Sequence, residues 1–454
     1  MNTTASAVPT GLTLRANFSW TFIGNAINAA AWFLMTTVLA KLGTPEHVGQ
    51  FALGLAMTAP IFMFATLRLR DVQATDTDGE YQFGDYYALR LCTTAAALLG
   101  VAILVAFSGL SWEVSLVVLA HGVSKSIEAI SDGFYGHFMQ RERLDMIAKS
   151  MMVKGLLSLT GLTIGFYLTG SVFWGVVGII ISRTLITVLY DIRNASMSLE
   201  PHMVTTVASS TLSTMGSAMR AMPRAVASFM AWLLPNETPR ARWDLPTLRK
   251  LFWLTLPLGA YTMLVSFNSN IPRYFIEGQL GSHQLGLFAA IAAFQKVAPT
   301  VVQALGRSAS PRLAKYYAAG NVKNFRKLSL RLMGIGLLLG IGGVLVAIVA
   351  GPPILRIFYG PEYVMPTIFT LVMVGAGVDY LATMLLFVIT SARYFRVQLP
   401  LQILTTGTVA LACFWLIPQY GLLGAAWALI VGNAVRVLGT MVAALHAERA
   451  LARG

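Results

Sequence analysis

Charged residues are scarce in this sequence. Lysine, arginine, aspartate and glutamate make up 11% of the 454 residues, whereas hydrophobic residues make up 56%. A soluble domain usually contains about 25% charged residues. Because so little of the chain is suited to contact with water, most of it is expected to lie in a membrane.

Cysteine is also scarce, and the two that occur, Cys92 and Cys413, lie within apolar runs. This argues against a disulfide framework or a cysteine-based metal site. The sequence contains no Walker loop, no HExxH pair and no dinucleotide fingerprint. We therefore expect no cofactor and no direct use of ATP. The residues up to about Leu14 show no clear cleavage site, so the first apolar run is expected to remain as a membrane span.

Apolar runs of about 20 residues, the length that crosses a bilayer as a helix, recur along the chain. The predicted spans lie at 16–40, 48–69, 87–108, 112–134, 149–169, 171–191, 251–272, 285–306, 327–350, 362–390, 396–417 and 421–446. The predicted fold class is an all-α polytopic membrane protein with twelve transmembrane helices in two parallel six-helix bundles, at residues 1–195 and 249–454. Residues 196–248 form a cytoplasmic linker, which is either an interfacial amphipathic helix in its middle or a partly ordered connection.

The two halves repeat the same motifs. GQFA at 49–52 corresponds to GLFA at 286–289, and each is followed by an Ala-Pro pair and an arginine. The matched single residues are Pro60 with Pro299, Arg68 with Arg307, Trp174 with Trp427, and Arg183 with Arg436. A duplicated membrane bundle is typical of a transporter whose substrate site lies between the halves.

The loops alternate in charge. Most of the 33 lysines and arginines lie at the N-terminus, near the loops that follow even-numbered spans, or in the tail, whereas Lys41, Arg273 and Arg356 lie on the opposite side. Because basic loops remain cytoplasmic, both termini are predicted to be cytoplasmic. Topology thus accounts for the net charge of +14 without a nucleic-acid partner.

Ionisable residues inside spans usually face a cavity or a partner, because lipid solvates them poorly. The predicted fourth span carries His121, Lys125, Glu128 and Asp132, whose spacing places them on one helical face. One interpretation is an ion pair between Lys125 and Glu128 that helps the helix to pack. The other is a polar stripe along a water-filled cavity.

Further candidates lie in other spans. Lys296 corresponds to a position near Met57, so one copy has a charge that the other lacks; it could contact phosphate or pair with Asp379. Arg183 and Arg436 occupy equivalent positions, which fits packing as well as substrate contact. Lys125, Lys296 and Asp379 interrupt the repeat, and the substrate is expected there first. The carboxylates that could bind a coupling proton or sodium ion are Glu128, Asp132 and Asp379.

Asparagines in the first and seventh spans could hydrogen-bond sugars or bond across helices; they are Asn25, Asn28, Asn268 and Asn270. Arg273 is interpreted either as an anion contact at the outer mouth or as a partner of Glu277. Basic residues at the cytoplasmic ends of the second and eighth spans fit anionic lipid headgroups or an entrance for an anionic lipid-linked substrate; they are Arg68, Arg70, Arg307 and Arg312.

Several of these motifs resemble a known family. LRLRDVQATD at 67–76 and FGDYYALR at 83–90 resemble the loop between helices 2 and 3 of bacterial polysaccharide flippases. NIPRY at 270–274 and GLFAA at 286–290 resemble their helix 7–8 region. These are the Wzx-type exporters of the MOP (multidrug, oligosaccharidyl-lipid, polysaccharide) superfamily. The lipid II flippases are similar but carry more spans than are predicted here.

The resemblance implies a multi-pass protein of the bacterial inner membrane that flips an undecaprenyl-pyrophosphate-linked oligosaccharide by alternating access. Two bundles would form a V around a cationic cavity, for which Lys125, Arg183, Lys296 and Arg436 are the candidates by position. The implied partners are the lipid-linked oligosaccharide, membrane lipids and other polysaccharide assembly proteins. The alternative within the superfamily is a multidrug-and-toxin-type antiporter for cations. A membrane glycosyltransferase or polymerase fits less well, because the loops on the outer side are short.

Overall fold

Long helices account for nearly all of the chain that the structure, a computed structural model, describes: residues 12–76, 78–198, 204–206, 237–296 and 299–453. The helices of the first half are α1 (Leu14–Leu42), α2 (Pro45–Ala65), α3 (Leu69–Thr75), α4 (Phe83–Phe107), α5 (Trp112–Gln140), α6 (Leu144–Thr169), α7 (Val172–Ile186) and α8 (Arg193–Ser198). A π-helical segment, Thr187–Ile192, joins α7 to α8.

The helices of the second half are α9 (Leu245–Ala293), α10 (Pro299–Ala318), α11 (Val322–Phe358), α12 (Pro366–Ser391), α13 (Gln398–Tyr420) and α14 (Leu422–Arg453). Short 3-10 turns occur at Phe294–Lys296, Pro361–Tyr363 and Phe395–Val397. Two strands, β1 (Val204–Thr206) and β2 (Glu237–Pro239), pair antiparallel between the halves. Apart from β1, the segment for which an interfacial helix was considered lies outside the described residues.

Helix α9 contains more than one predicted span. Its 49 residues would extend about 73 Å as a straight helix, more than twice the ~30 Å of a bilayer core. The helix is broken at Gly281, whose φ of 82° is accessible to a residue without a side chain. The predicted seventh span precedes this break, and the eighth begins after it and continues into α10.

Eleven helices in the described part of the chain are long and apolar enough to cross a membrane. The count differs from the twelve predicted because the seventh and eighth spans share α9. The all-α, polytopic fold class is confirmed. The boundaries of the two bundles at residues 195 and 249 stay a prediction.

The halves pack together through α2 and α9. Near one end of the interface, Thr262 donates to the carbonyl of Met63 at 3.0 Å. An apolar seam also joins α1 to the second half, where the ring of Phe33 lies 5.0 Å from Phe294 and 5.9 Å from Tyr359. The largest buried apolar cluster contains residues of both halves. Side chains between the halves therefore belong to one continuous core.

Loops at the predicted cytoplasmic side are held by polar contacts. Asp76 accepts hydrogen bonds from the backbone N–H groups of Glu80 and Tyr81, each at 3.1 Å. Lys250 of α9 donates to Glu80 Oε1 at 2.6 Å. This hydrogen bond lowers the pKa of the Glu80 carboxyl. The loop between α3 and α4 is thus tied directly to the second half.

Candidate functional site

A compact charged cluster lies where α1, α5 and α7 meet, and we refer to Trp32, Lys125, Glu128 and Arg183 as the N-half cluster. Glu128 Oε2 accepts from Lys125 Nζ at 2.9 Å and from an Arg183 guanidinium nitrogen at 2.7 Å. Both cations also lie over the Trp32 ring, at 5.6 and 5.3 Å from its centroid. Two cations therefore share one carboxylate and one aromatic face.

Arg183 is the most buried cation of the N-half cluster, with 8% of its side chain exposed, whereas 48% of Glu128 is exposed. Arg183 is also oriented by Ser124, whose hydroxyl accepts its hydrogen bond at 3.0 Å. Because Lys125 and Arg183 share the single carboxylate of Glu128, the site keeps a net positive charge. Such a site suits an anionic group, because a guanidinium binds carboxylate or phosphate oxygens through strong, charge-assisted hydrogen bonds.

The predicted stripe on α5 divides into three environments. Lys125 and Glu128 form the predicted ion pair within the N-half cluster. His121 is buried, and its ring lies 4.9 Å from that of Phe51. Asp132 is one turn further along α5 and pairs with two other arginines, Arg70 and Arg90, each at 3.0 Å. The helical periodicity placed these residues on one face, but their partners on other helices separate their roles.

The second half contains an equivalent acid–arginine pair. Asp379 of α12 accepts a hydrogen bond from Arg436 of α14 at 2.5 Å. Arg436 matches Arg183 in the sequence repeat, and their carboxylate partners lie on corresponding helices. The expectation that Asp379 interrupts the repeat is therefore corrected, since its counterpart is Glu128. The pairing of Asp379 with Lys296 stays a prediction, because the Lys296 side chain lies outside the described residues.

Sequence reasoning missed a second polar network between α5, α6 and the π-helical segment. Lys154 of α6 donates to Asp191 and to Ser131, and it lies 3.4 Å from the Tyr135 hydroxyl. Ser131 also donates to Asp191 Oδ2 at 2.5 Å, and Tyr135 bonds Ser150 at 2.8 Å. The available signal was Lys154 itself, a lysine five residues inside the predicted fifth span.

The other candidates from the sequence lie apart from these clusters. Lys296 ends a 3-10 turn, and its side chain lies outside the described part of the chain. Asn28 faces α6, where its side-chain oxygen would lie 3.4 Å from a Cβ on Gly155. Asn268 Oδ1 is buried without a hydrogen-bond partner in the structure.

Arg273 lies within α9 rather than at the end of a span, because the helix continues to Gly281. Its guanidinium donates to Asn270 Oδ1 at 3.0 Å. Glu277, the partner considered for Arg273, instead accepts from Ser282 at 2.6 Å. The guanidinium of Arg273 is therefore held by Asn270, one turn earlier on the same helix.

The arginines proposed as an entrance have different partners. Arg68 adopts a left-handed backbone at the start of α3 and pairs with Asp71 at 2.7 Å. Arg70 joins the Asp132 pair described above. Arg307 is exposed on α10. Among the residues that the structure describes, no group of three or more His, Cys, Asp and Glu is placed to hold a metal ion.

The fold is that of the MOP transporters, to judge from similar solved structures. The lipid II flippase MurJ, in its inward closed conformation, matches with a TM-score of 0.67 and 10% identity over 96% of this chain and 90% of that one. The MATE transporter VcmN of Vibrio cholerae matches with a TM-score of 0.59 and 15% identity over 97% and 98% of the two chains. At these identities the likeness concerns the fold alone.

A curated relative adds similarity along the sequence. The capsular polysaccharide biosynthesis protein CapF of Staphylococcus aureus is 26% identical over 432 residues, covering 93% of this chain and 97% of that protein. No family model matches the sequence. The chain is therefore similar along its length to a capsular polysaccharide biosynthesis protein, and its fold is that of the MurJ and MATE structures. The chain is a multi-pass membrane protein.

Proposed function

We propose that this protein is a transporter, and not an enzyme, that flips an undecaprenyl-pyrophosphate-linked oligosaccharide across the bacterial inner membrane. The glycan would be a unit of O-antigen, capsule or exopolysaccharide. The full-length similarity to a capsular polysaccharide biosynthesis protein supports this substrate class. A charged headgroup cannot cross hydrocarbon unaided, because transferring ions out of water is costly, whereas the lipid tail can remain in the bilayer.

The observation that carries the proposal is the N-half cluster. Lys125 and Arg183 share a single carboxylate, Glu128, so the cluster keeps one positive charge inside a membrane span. A pyrophosphate could bind there by charge-assisted hydrogen bonds that offset its loss of water. The charge of Arg436 is neutralised by Asp379, so Arg436 would be a second, weaker contact for the pyrophosphate. The roles of Arg273, Lys296, Asn28 and Asn268 in substrate binding are proposed on position alone.

The predicted topology assigns the two ends of the interface between the halves to the two sides of the membrane. With both termini in the cytoplasm, the contact between Glu46 and His283, at 2.5 Å, lies at the outer end of the interface. Contacts at that end would close the protein towards the outside, and the Lys250–Glu80 and Thr262–Met63 contacts join the halves nearer the cytoplasmic end. Alternating access would then require these outer contacts to separate.

Glycan export in cells that lack the endogenous protein tests the proposal. Lys125→Ala and Arg183→Ala should each reduce surface glycan and cause lipid-linked oligosaccharide to accumulate on the cytoplasmic leaflet, at normal membrane levels of the protein. Arg326→Ala is the matched control, because Arg326 is an exposed arginine paired with Glu448 at 3.5 Å. Wild-type export by both cluster variants would contradict the proposed site, and unchanged leaflet distribution on deletion would contradict the function.

The second candidate is a multidrug-and-toxin-type antiporter. It is favoured by the partly exposed carboxylates of Glu128 and Asp379, with 48% and 34% of their side chains accessible, which could bind a cation. Cells expressing the protein should then extrude cationic dyes, and neutralising Glu128 should abolish the efflux. Dye efflux without any effect on glycan export would replace the flippase proposal with this one.

Ion coupling through Glu128, Asp132 and Asp379 is proposed as part of either activity. Each carboxylate is already bonded to at least one cation, so an incoming proton or sodium ion would have to compete with it. Transport should lose its ion dependence when all three are neutralised. Retained transport with the same ion dependence would exclude these residues as the coupling groups.

A further inference from the structure

A buried lysine–aspartate pair lies between α5, α6 and the π-helical segment, next to the N-half cluster but not part of it. Asp191 is fully buried, and Lys154 is almost so, with 11% of its side chain exposed. Oxygen atom Oδ2 of Asp191 accepts from both Lys154 and Ser131. The other oxygen, Oδ1, is buried without a hydrogen-bond partner. A buried carboxylate oxygen without a partner is energetically unfavourable, and it is a vacant acceptor.

The backbone around Asp191 is unusual in the same place. Residues Thr187–Ile192 form a π-helix between α7 and α8. Such segments are rare and occur frequently at functional sites. Thr187, at the start of the segment, also has a buried hydroxyl without a partner. Two unsatisfied oxygens in one irregular turn indicate that this segment is built for more than packing.

We propose that Asp191 Oδ1 is a proton-binding site, and that Lys154 is the internal cation that a bound proton displaces. The lysine ammonium already contacts Asp191, Ser131 and Tyr135, so it fills the position that a metal ion would need. A metal ion would require several oxygen ligands, whereas a proton needs only the vacant Oδ1. In this step hydronium transfers a proton to Oδ1: one O–H bond of hydronium breaks, an O–H bond forms on Asp191, and a water molecule is released.

Protonation of Asp191 has a direct consequence for Lys154. The ammonium would be left in a buried position without a counter-charge, which is strongly unfavourable. Ser131, its present partner, is three residues after Glu128 on α5, so both lie on one helical face. The Lys154 side chain can therefore regain a counter-charge by turning towards the Glu128 carboxylate, about one helical turn or 5 Å away.

Movement of Lys154 towards Glu128 would connect the proton site to the N-half cluster. Glu128 would then share its carboxylate with a third cation, which weakens its hold on Arg183 and raises the positive charge at the cluster. The other charged or titratable groups that face the pair are Arg183 and Glu128, which act on Lys154, and Tyr190, on which Asp191 acts. This link to substrate binding rests on the proposed function; the proton-binding site itself does not.

Infrared difference spectroscopy of the purified protein in detergent tests the site without any glycan. On acidification the wild-type protein should show the carbonyl band of a protonated, buried carboxylic acid. Asp191→Asn should lose this band. The matched control is Asp145→Asn, because Asp145 is also buried but both of its oxygens accept hydrogen bonds from Arg143, with a further bond from Lys149; this variant should keep the band.

Lys154→Gln keeps the test decisive if Asp191→Asn fails to fold. Removing the positive neighbour makes the charged carboxylate less favourable, so the band should appear at a higher pH than in the wild type. A band that is absent from the wild type at every pH where the protein stays folded, or one whose pH midpoint is the same in Lys154→Gln, would overturn the proposal. Suppression of the band by added sodium at constant pH would also overturn it, by identifying the ligand as a metal ion.

Discussion

Gly49 and Gly286 meet across the interface between the two halves in a nearly symmetric contact. A Cβ atom on Gly49 would lie 2.0 Å from the carbonyl oxygen of Ser282, and one on Gly286 would lie 1.7 Å from that of Pro45. Each glycine thus faces the residue four positions before the other. The two copies of the duplicated motif therefore pack against each other, and their glycines allow α2 and α9 to approach closely.

A side chain at Gly286 should force the halves apart at this end. We expect Gly286→Leu to weaken the closed arrangement by about 1–3 kcal/mol, as overpacking of a tight contact does. The measurement is disulfide cross-linking between cysteines introduced at Glu46 and His283, whose side chains are in contact. Cross-linking should be rapid in the parent and slow with the added leucine. Gly278→Leu is the control, because a Cβ there meets no atom within 4 Å. Equal rates in all three proteins would contradict the predicted separation of the halves at this end.

Removing one member of the Asp379–Arg436 pair should destabilise the second half more than removing both. Asp379→Ala leaves Arg436 half-buried and uncompensated, whereas Asp379→Ala with Arg436→Ala leaves no charge. We expect a coupling free energy of about 0.5–3 kcal/mol from a double-mutant cycle, measured by thermal unfolding in detergent. Additive single effects would mean that the 2.5 Å bond contributes little to stability.

Asp132 should matter more for stability than an exposed aspartate does. Asp132→Asn removes the counter-charge of Arg90, which is only 1% exposed, and the loss of one partner from a buried pair costs about 3–5 kcal/mol. Asp71→Asn is the matched control, since Asp71 and Arg68 are both exposed and such pairs contribute about 0–1 kcal/mol. Thermal unfolding of the two variants distinguishes them. Similar losses would show that the Arg90 charge is balanced in another way.

Acidification should release the loop between α3 and α4 from α9. Lys250 lowers the pKa of the Glu80 carboxyl in the folded protein, so the contact contributes at neutral pH and is lost as the pH falls through that lowered pKa. Hydrogen exchange of the loop amides should therefore be slower in the wild type than in Glu80→Gln at neutral pH. The difference should vanish at low pH. Equal exchange in the two proteins at neutral pH would assign the protection to the Asp76 hydrogen bonds instead.

The candidate site shows where sequence reasoning reaches its limit. Spacing on one helix placed Lys125, Glu128 and Asp132 on a common face, since helical periodicity is a local property. Spacing along one helix could not reveal that Asp132 forms ion pairs with Arg70 and Arg90, because those arginines lie on other helices. Lys154 was missed for the same reason, since its partner Asp191 is 37 residues away.

The sequence by itself determined that this chain is an all-α membrane protein with many spans and with motifs repeated in its two halves. Lipid requires long apolar helices with internal hydrogen bonds, so these properties are visible in composition and in repeated motifs. Only the tertiary structure decided which charges neutralise each other, that Asp379 is the counterpart of Glu128, and that Asp191 has a vacant oxygen. Those outcomes depend on distances between side chains of separate helices, which the order of residues along one helix does not contain.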